Sequence, residues 1–131
     1  MDEPRWLTRD QVEAIHLSQV REHGGSHGLR DPGLLESAVA RPRNVWHYDP
    51  EADVITLAGA LAFALIRNHP FVDGNKRVGL MSAYTFLLLN GWELQAGEPE
   101  AVMVIRDIAA GELGEPELTA WLRQRSVAFE W

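Results

Sequence analysis

Residues 54–68, VITLAGALAFALIRN, constrain this chain more than any other stretch. They are apolar at nearly every position through Ile66 and rich in alanine and leucine, so they predict a helix with almost no polar face. Such a helix belongs at the centre of a domain. Asp53 can cap its start. Its end is set by His69-Pro70, because the residue before proline is pushed out of the α region. At 15 residues it is too short to cross a bilayer. Whatever else the chain builds must cover it.

The remaining pattern is also helical, with no alternating strand longer than a few residues. A first helix starts at Thr8, which forms a capping box with Gln11, and places Val12, Ile15, His16 and Leu17 near one face. It ends before the glycine-rich run Gly24-Gly25-Ser26-His27-Gly28. A second, short helix has Asp31 as N-cap and Pro32 in its first turn, carries Leu34, Leu35, Ala38 and Val39, and is expected to stop at Arg41-Pro42. Residues 43–50, with Trp46, His47 and Tyr48, are then a loop. A fourth helix is expected from about Asn75 to Asn90, with Gly91 as the left-handed stop. Two more begin at matching GEPE tetrapeptides, 97–100 and 114–117. No linker or low-complexity run divides residues 1–131, so one all-α domain is expected.

Composition narrows the function. A net charge of −7 gives no broad electrostatic footprint for nucleic acid, so an anionic ligand needs a local basic site. Of the 12 basic residues all are arginine except Lys76. The absence of cysteine excludes a disulfide framework, a thiol nucleophile and a Cys-based zinc site. The opening MDEPRWLTRD lacks the basic-then-apolar order of a secretory signal, and no 18-residue apolar run occurs, so a cytoplasmic protein without a membrane partner is expected. His23 and His27 are four apart, but Gly24 and Gly25 would break the helix that a zinc pair needs. Trp6, Trp46, Trp92, Trp121 and Trp131 read as core or interface anchors in so acidic a chain.

The chemistry concentrates in His69-Pro70-Phe71-Val72-Asp73-Gly74-Asn75-Lys76-Arg77, between the two central helices. Singly, these residues make an ordinary turn, cap and solvated cations. Together they place free backbone N–H groups, a positive helix start and two cations at one point, which describes an anion site, most simply for phosphate. Asp73 would repel a bare phosphate. A Mg²⁺ ion resolves that conflict, because it is commonly held by one or two carboxylates together with substrate phosphates. His69 carries an imidazole, which can accept a proton near neutral pH. Phe71 reads as a core anchor of the loop.

HPFVDGNKR matches every defined position of the signature HPFx(D/E)GNxR. On these residues the chain resembles the Fic fold superfamily, and more closely its death-on-curing toxin branch. The similarity continues upstream through GLRDPGLLESAVARPRN, residues 28–44, and with the helical order around the motif covers most of residues 8–95. The resemblance implies the Fic/Doc helical fold, with a central helix–catalytic loop–helix core. It implies His69 as general base on a target hydroxyl, Asp73 as Mg²⁺ ligand, and Gly74, Asn75, Lys76 and Arg77 as the phosphate cradle for ATP. The glycine-rich loop would help to hold the target chain. Nucleotidyl-transferring Fic enzymes have glycine where Lys76 stands and a second arginine where Leu80 stands; death-on-curing kinases share the lysine and lack that arginine.

The implied reaction is therefore transfer of the γ-phosphoryl group of Mg·ATP to a Thr or Ser hydroxyl, with a threonine of elongation factor Tu as implied target and arrest of translation as the outcome. Two alternatives stand beside it. One is adenylylation of a Ser, Thr or Tyr hydroxyl, since Gly74 replaces the alanine of some kinase members. The other is a catalytically silent helical module that only binds a partner. Ser18 and Glu22 approach the self-inhibitory pattern (S/T)xxxE(G/N), but His23 fills its last position, and they read as exposed helix residues. Restraint is then expected from a small separate antitoxin that folds as a helix on binding. Its expected seat is the first two helices and the Trp46-His47-Tyr48 segment, with Arg41 and Arg43 facing its carboxylates.

Overall fold

The computed structural model describes residues 2–129, so the expectation for Trp131 lies outside the described residues. These form six helices and one short antiparallel strand pair: α1 (Arg9–His23), α2 (Pro32–Tyr48), α3 (Val54–Asn68), α4 (Asn75–Leu89), β1 (Trp92–Leu94), α5 (Glu98–Ala109), α6 (Glu115–Arg125) and β2 (Ser126–Ala128). The all-α expectation holds, and none of the helices is long and apolar enough to cross a membrane.

The apolar run becomes α3, capped by Asp53, whose side chain accepts a hydrogen bond from the Thr56 amide at 2.9 Å. Ten of its 15 residues are buried. Helices α2, α4, α5 and α6 pack on it, and α1 closes over α4 and α2. The α3–α4 crossing is tight: a Cβ at Gly79 would lie 2.6 Å from Ile66 Cγ1 and 3.2 Å from the Ala62 carbonyl oxygen. Only hydrogen in place of a side chain allows α4 to approach this closely. Two helices packed along their length thus bring the end of α3 and the start of α4 together.

Helix α1 starts with the expected capping box, Thr8 and Gln11 each satisfying the other's amide. Its buried face is Val12, His16, Gln19 and Val20, however, and Leu17 faces solvent. Ser18 and Glu22 are exposed. The larger correction concerns α2, which does not stop at Arg41-Pro42 but runs through Pro42 to Tyr48. An interior proline costs roughly 3 kcal/mol. Continuing the helix recovers a comparable amount, because it buries Pro42 and packs Val45 and Trp46 against the core. Trp46 meets the Trp6 ring edge-on at 5.9 Å, and Trp6 stacks on Phe86. Arg41 is turned to Glu115, at 3.3 Å, instead of standing free for a partner. Arg43 lies over the Trp6 ring.

Both GEPE tetrapeptides start helices, α5 and α6, with proline in the first turn. The strand pair was not legible in the sequence, since three residues are too few to show a period. β1 and β2 pair with Trp92 opposite Ala128 and Leu94 opposite Ser126, tying the far end of α6 to the chain just after α4. Glu100 adds a second tie by accepting from both Arg125 and the Trp121 indole. Across the core, Arg123 of α6 binds the Asp53 cap of α3 and holds that carboxyl at about 2, below its ordinary 3.8.

Two outcomes follow from this packing. Gly79→Ala should lower the unfolding free energy by about 1–3 kcal/mol, as overpacking does, in a denaturant titration. The Asp53–Arg123 contribution should be complete above pH 3.8 and disappear as pH falls toward 2, because the folded pKa lies below the unfolded one. The stability gap between the parent and Arg123→Gln should therefore close across that window in an acid titration followed by circular dichroism.

Candidate functional site

The loop between α3 and α4 is held by its own residues and by the segment before α2. His69 ends α3 in the left-handed conformation, φ 53° and ψ 53°, and is the one non-glycine residue with positive φ among the described residues. That conformation costs a residue with a Cβ about 1–2 kcal/mol, so something must enforce it. Arg30 does: its Nε donates to the His69 carbonyl at 2.7 Å and its Nη2 to the Asn68 carbonyl at 3.0 Å. The backbone amides of Arg30 and Asp31 both donate to the Pro70 carbonyl, and the Val72 amide donates to the Gly28 carbonyl at 3.0 Å. Leu29 and Phe71 form an isolated antiparallel bridge. Residues 28–31 are thus a short edge along which the loop lies.

From the other side, the buried side chain of Asn75 closes on Phe71. Its Oδ1 accepts from the Phe71 amide and its Nδ2 donates to the Phe71 carbonyl, both at 2.9 Å. Beneath the loop, His16 is only 5% exposed. Its ring stacks on Phe71 with centroids 3.9 Å apart, and its Nε2 lies 2.8 Å from the Asp73 carbonyl oxygen. A carbonyl can only accept, so this nitrogen carries the proton. Phe71 is buried, as a core anchor should be.

Asp73 points into the open. Its Oδ1 accepts from the Gly74 amide at 2.8 Å and its Oδ2 from the Ser26 amide at 3.3 Å. These amides, the Gly74 one first, hold its carboxyl below the usual carboxylate range, with smaller help from Arg77. The glycine-rich run reaches this carboxylate because Gly25, at φ 115°, has no Cβ; one there would lie 2.7 Å from Asp73 Oδ2. Arg77 Nη1 donates to the Gly24 carbonyl, which fixes the same run from below. His69, Asp73, Gly74, Asn75, Lys76 and Arg77 line one open cavity of about 270 Å³.

All six residues singled out in the sequence therefore meet, but in different capacities. The Gly74 amide is used by Asp73 and the Asn75 side chain by Phe71. What the start of α4 presents to an anion is the first-turn amides of Asn75, Lys76 and Arg77, which a helix leaves without internal acceptors, and the exposed Lys76 ammonium. The Asp73 carboxylate is a hard, ionised oxygen donor beside that cradle, which suits Mg²⁺ held jointly with phosphate oxygens. Among the described residues no three His, Asp or Glu side chains cluster to hold a metal by themselves, His23 and His27 included. Sequence reasoning missed His16, Arg30 and the Ser26 amide. A histidine among the apolar positions of α1 was the available signal, because a buried imidazole needs a partner.

Comparison with known proteins agrees with the motif. The model of the family described as Fic/DOC matches residues 6–87. A protein named Toxin Doc from Mycolicibacterium smegmatis (strain ATCC 700084 / mc(2)155) is 47% identical over 74 residues, which cover 56% of this chain and 57% of that protein. A protein named Protein kinase doc from Escherichia phage P1 is 29% identical over 120 residues, covering 92% of this chain and 94% of that one.

The clamp on His69 can be tested apart from any activity. Arg30→Ala should raise amide hydrogen exchange at His69, Phe71 and Val72 at least tenfold and lower global stability by roughly 1–2 kcal/mol, with Arg30→Lys recovering only part. Unchanged exchange at those three amides would show that Asn75 and the backbone bonds of residues 28–31 hold the loop without the Arg30 guanidinium.

Proposed function

The chain belongs to the Fic/DOC family, and from that membership we propose that it is a Doc-type toxin, a protein kinase that moves the γ-phosphoryl group of ATP to a Thr or Ser hydroxyl of a host protein. The observation that carries this reading is the shared cavity, in which an imidazole, an ionised carboxylate and the start of α4 face one space. His69 takes the proton of the acceptor hydroxyl as its oxygen bonds to the γ-phosphorus. The bond from that phosphorus to the β–γ bridging oxygen breaks, and ADP leaves. The first-turn amides of α4 and Lys76 hold the phosphoryl oxygens, whose charge grows less costly in their field. Mg²⁺ bound at Asp73 would supply neutralisation of the phosphate charge during transfer. Arg30 and Asn75 keep the His69 peptide in position, so little reorganisation is needed when substrate arrives.

Elongation factor Tu is the proposed acceptor, with arrest of translation the consequence. A small antitoxin is the proposed restraint. Its seat would be the groove between the residues before α1 and the outer face of α2, where Leu7, Val39 and Ala40 supply apolar wall and Arg43 a cation. Arg41 is excluded from that role by its pairing with Glu115.

Incubation of the protein and elongation factor Tu with ATP labelled at the α or the γ phosphorus tests the reading. Label should enter the acceptor from the γ position only, and His69→Ala should reduce its rate by about 10²–10⁴ fold without loss of fold. Label entering from the α position would make the protein an adenylyltransferase. No transfer at all would leave a partner-binding module.

A further inference from the structure

Helix α1 buries one imidazole that the transfer chemistry does not use. His16 lies with Val12, Gln19 and Val20 on the covered face of α1 and is 5% exposed. An apolar residue would fill this place more cheaply, because burying a polar ring costs free energy unless the ring finds a partner. The partner is the Asp73 carbonyl, 57 positions along the chain, which accepts from Nε2 at 2.8 Å. Asn75 is the other buried polar side chain at this loop, and both of its bonds go to Phe71. The loop backbone is thus served by separate groups: Arg30 holds the carbonyls of Asn68 and His69, Asn75 holds Phe71, and His16 holds Asp73.

A trans peptide is planar, and its C=O and N–H point in opposite directions. The Asp73–Gly74 peptide is therefore held at its two ends by two different groups. Below, its carbonyl accepts from His16; above, its amide donates to Asp73 Oδ1 at 2.8 Å. That amide contributes most to holding the Asp73 carboxyl below the usual carboxylate range. Gly74 sits at φ 79°, and a glycine also tolerates the negative φ to which rotation of this peptide would take it. Nothing in Gly74 itself selects between the two orientations. A rotated peptide would turn a carbonyl oxygen toward the Asp73 carboxylate in place of the N–H, and the repulsion would push the carboxylate away from the start of α4.

We infer that His16 is a positioning residue for Asp73: its Nε2–H selects the orientation of the Asp73–Gly74 peptide and thereby aims the Asp73 carboxylate into the cavity at the start of α4. The role of Asp73 as a Mg²⁺ ligand rests on the kinase reading; the aiming of its carboxylate does not. The ring has a second task in stacking on Phe71, at 3.9 Å between centroids, but a phenyl ring would serve there equally well. The N–H donor is what sets histidine apart at this position, and a glutamine amide can replace it.

Amide hydrogen exchange in three variants of the whole chain tests this. Glutamine and methionine have nearly the same length and shape, but only glutamine keeps an N–H donor. His16→Met should speed exchange of the Gly74 amide about tenfold, while His16→Gln stays within about threefold of the parent. His16→Phe, which keeps the stack on Phe71, should exchange like His16→Met. A space-filling role predicts otherwise: His16→Phe at the parent rate, or His16→Gln and His16→Met equally fast, and either result overturns the inference. Should His16→Phe not fold, the comparison of His16→Gln with His16→Met decides by itself. Transfer from γ-labelled ATP at varied Mg²⁺ separates this role from the kinase reading. His16→Met should need about tenfold more Mg²⁺ for half-maximal rate, at an unchanged KM for the acceptor protein, and His16→Gln should restore the parent requirement. The expected exchange pattern without transfer in the parent removes the kinase and keeps the positioning role. Transfer in His16→Met at the parent's Mg²⁺ requirement removes the positioning role and keeps the kinase.

Discussion

A helix that is apolar around its circumference has to be covered around its circumference, and α3 imposes that demand on the rest of the chain. Helices α2, α4, α5 and α6 meet it directly. Because Gly79 lets α4 lie close against α3, the two helices run together and the turn joining them must be short. A short turn after a buried helix has few conformations available. Here it begins with His69 in a left-handed conformation that only surrounding hydrogen bonds can maintain. The position of the His69 residue is thus a consequence of core packing carried out to the core's edge.

The loop is secured from both chain directions, and this matters for chemistry that depends on placement. Asn75 reaches back from α4 to Phe71, and the strip 28–31 reaches forward from before α2 to His69, Pro70 and Val72. His16 fills the space beneath. These contacts use the polar groups of the loop that point inward, which leaves Asp73, Lys76 and the first-turn amides of α4 to face outward. A net acidic chain can in this way gather oriented amides and a lysine at one point without a basic surface. The oriented amides cost no charge, and Lys76 stands exposed beside them.

Much of this was legible in the sequence where a signal was local. The caps at Thr8, Asp31 and Asp53, the stop at Gly91 and both GEPE helix starts depend on residues a few positions apart, and the structure places them as read. The site loop was legible because its residues are consecutive. The reading failed where a distant contact outweighed a local preference. Pro42 marks a helix end on local grounds, yet α2 continues because Trp46, four residues on, has Trp6 to pack against. Arg41, seemingly free, is taken by Glu115 from a helix 74 positions later.

The sequence by itself determined that the chain is helical, that α3 is central, and that His69 to Arg77 bring an imidazole, a carboxylate and two cations to one helix start, since each rests on residue type and near-neighbour spacing. Only the tertiary structure decided what those groups have left to offer. It assigned the Asn75 side chain and the Gly74 amide to internal bonds, and brought Arg30, His16 and Ser26 to the loop. Hydrogen-bonding groups are used up in pairs, and a partner 39 or 57 residues away leaves no trace in the spacing of its neighbours.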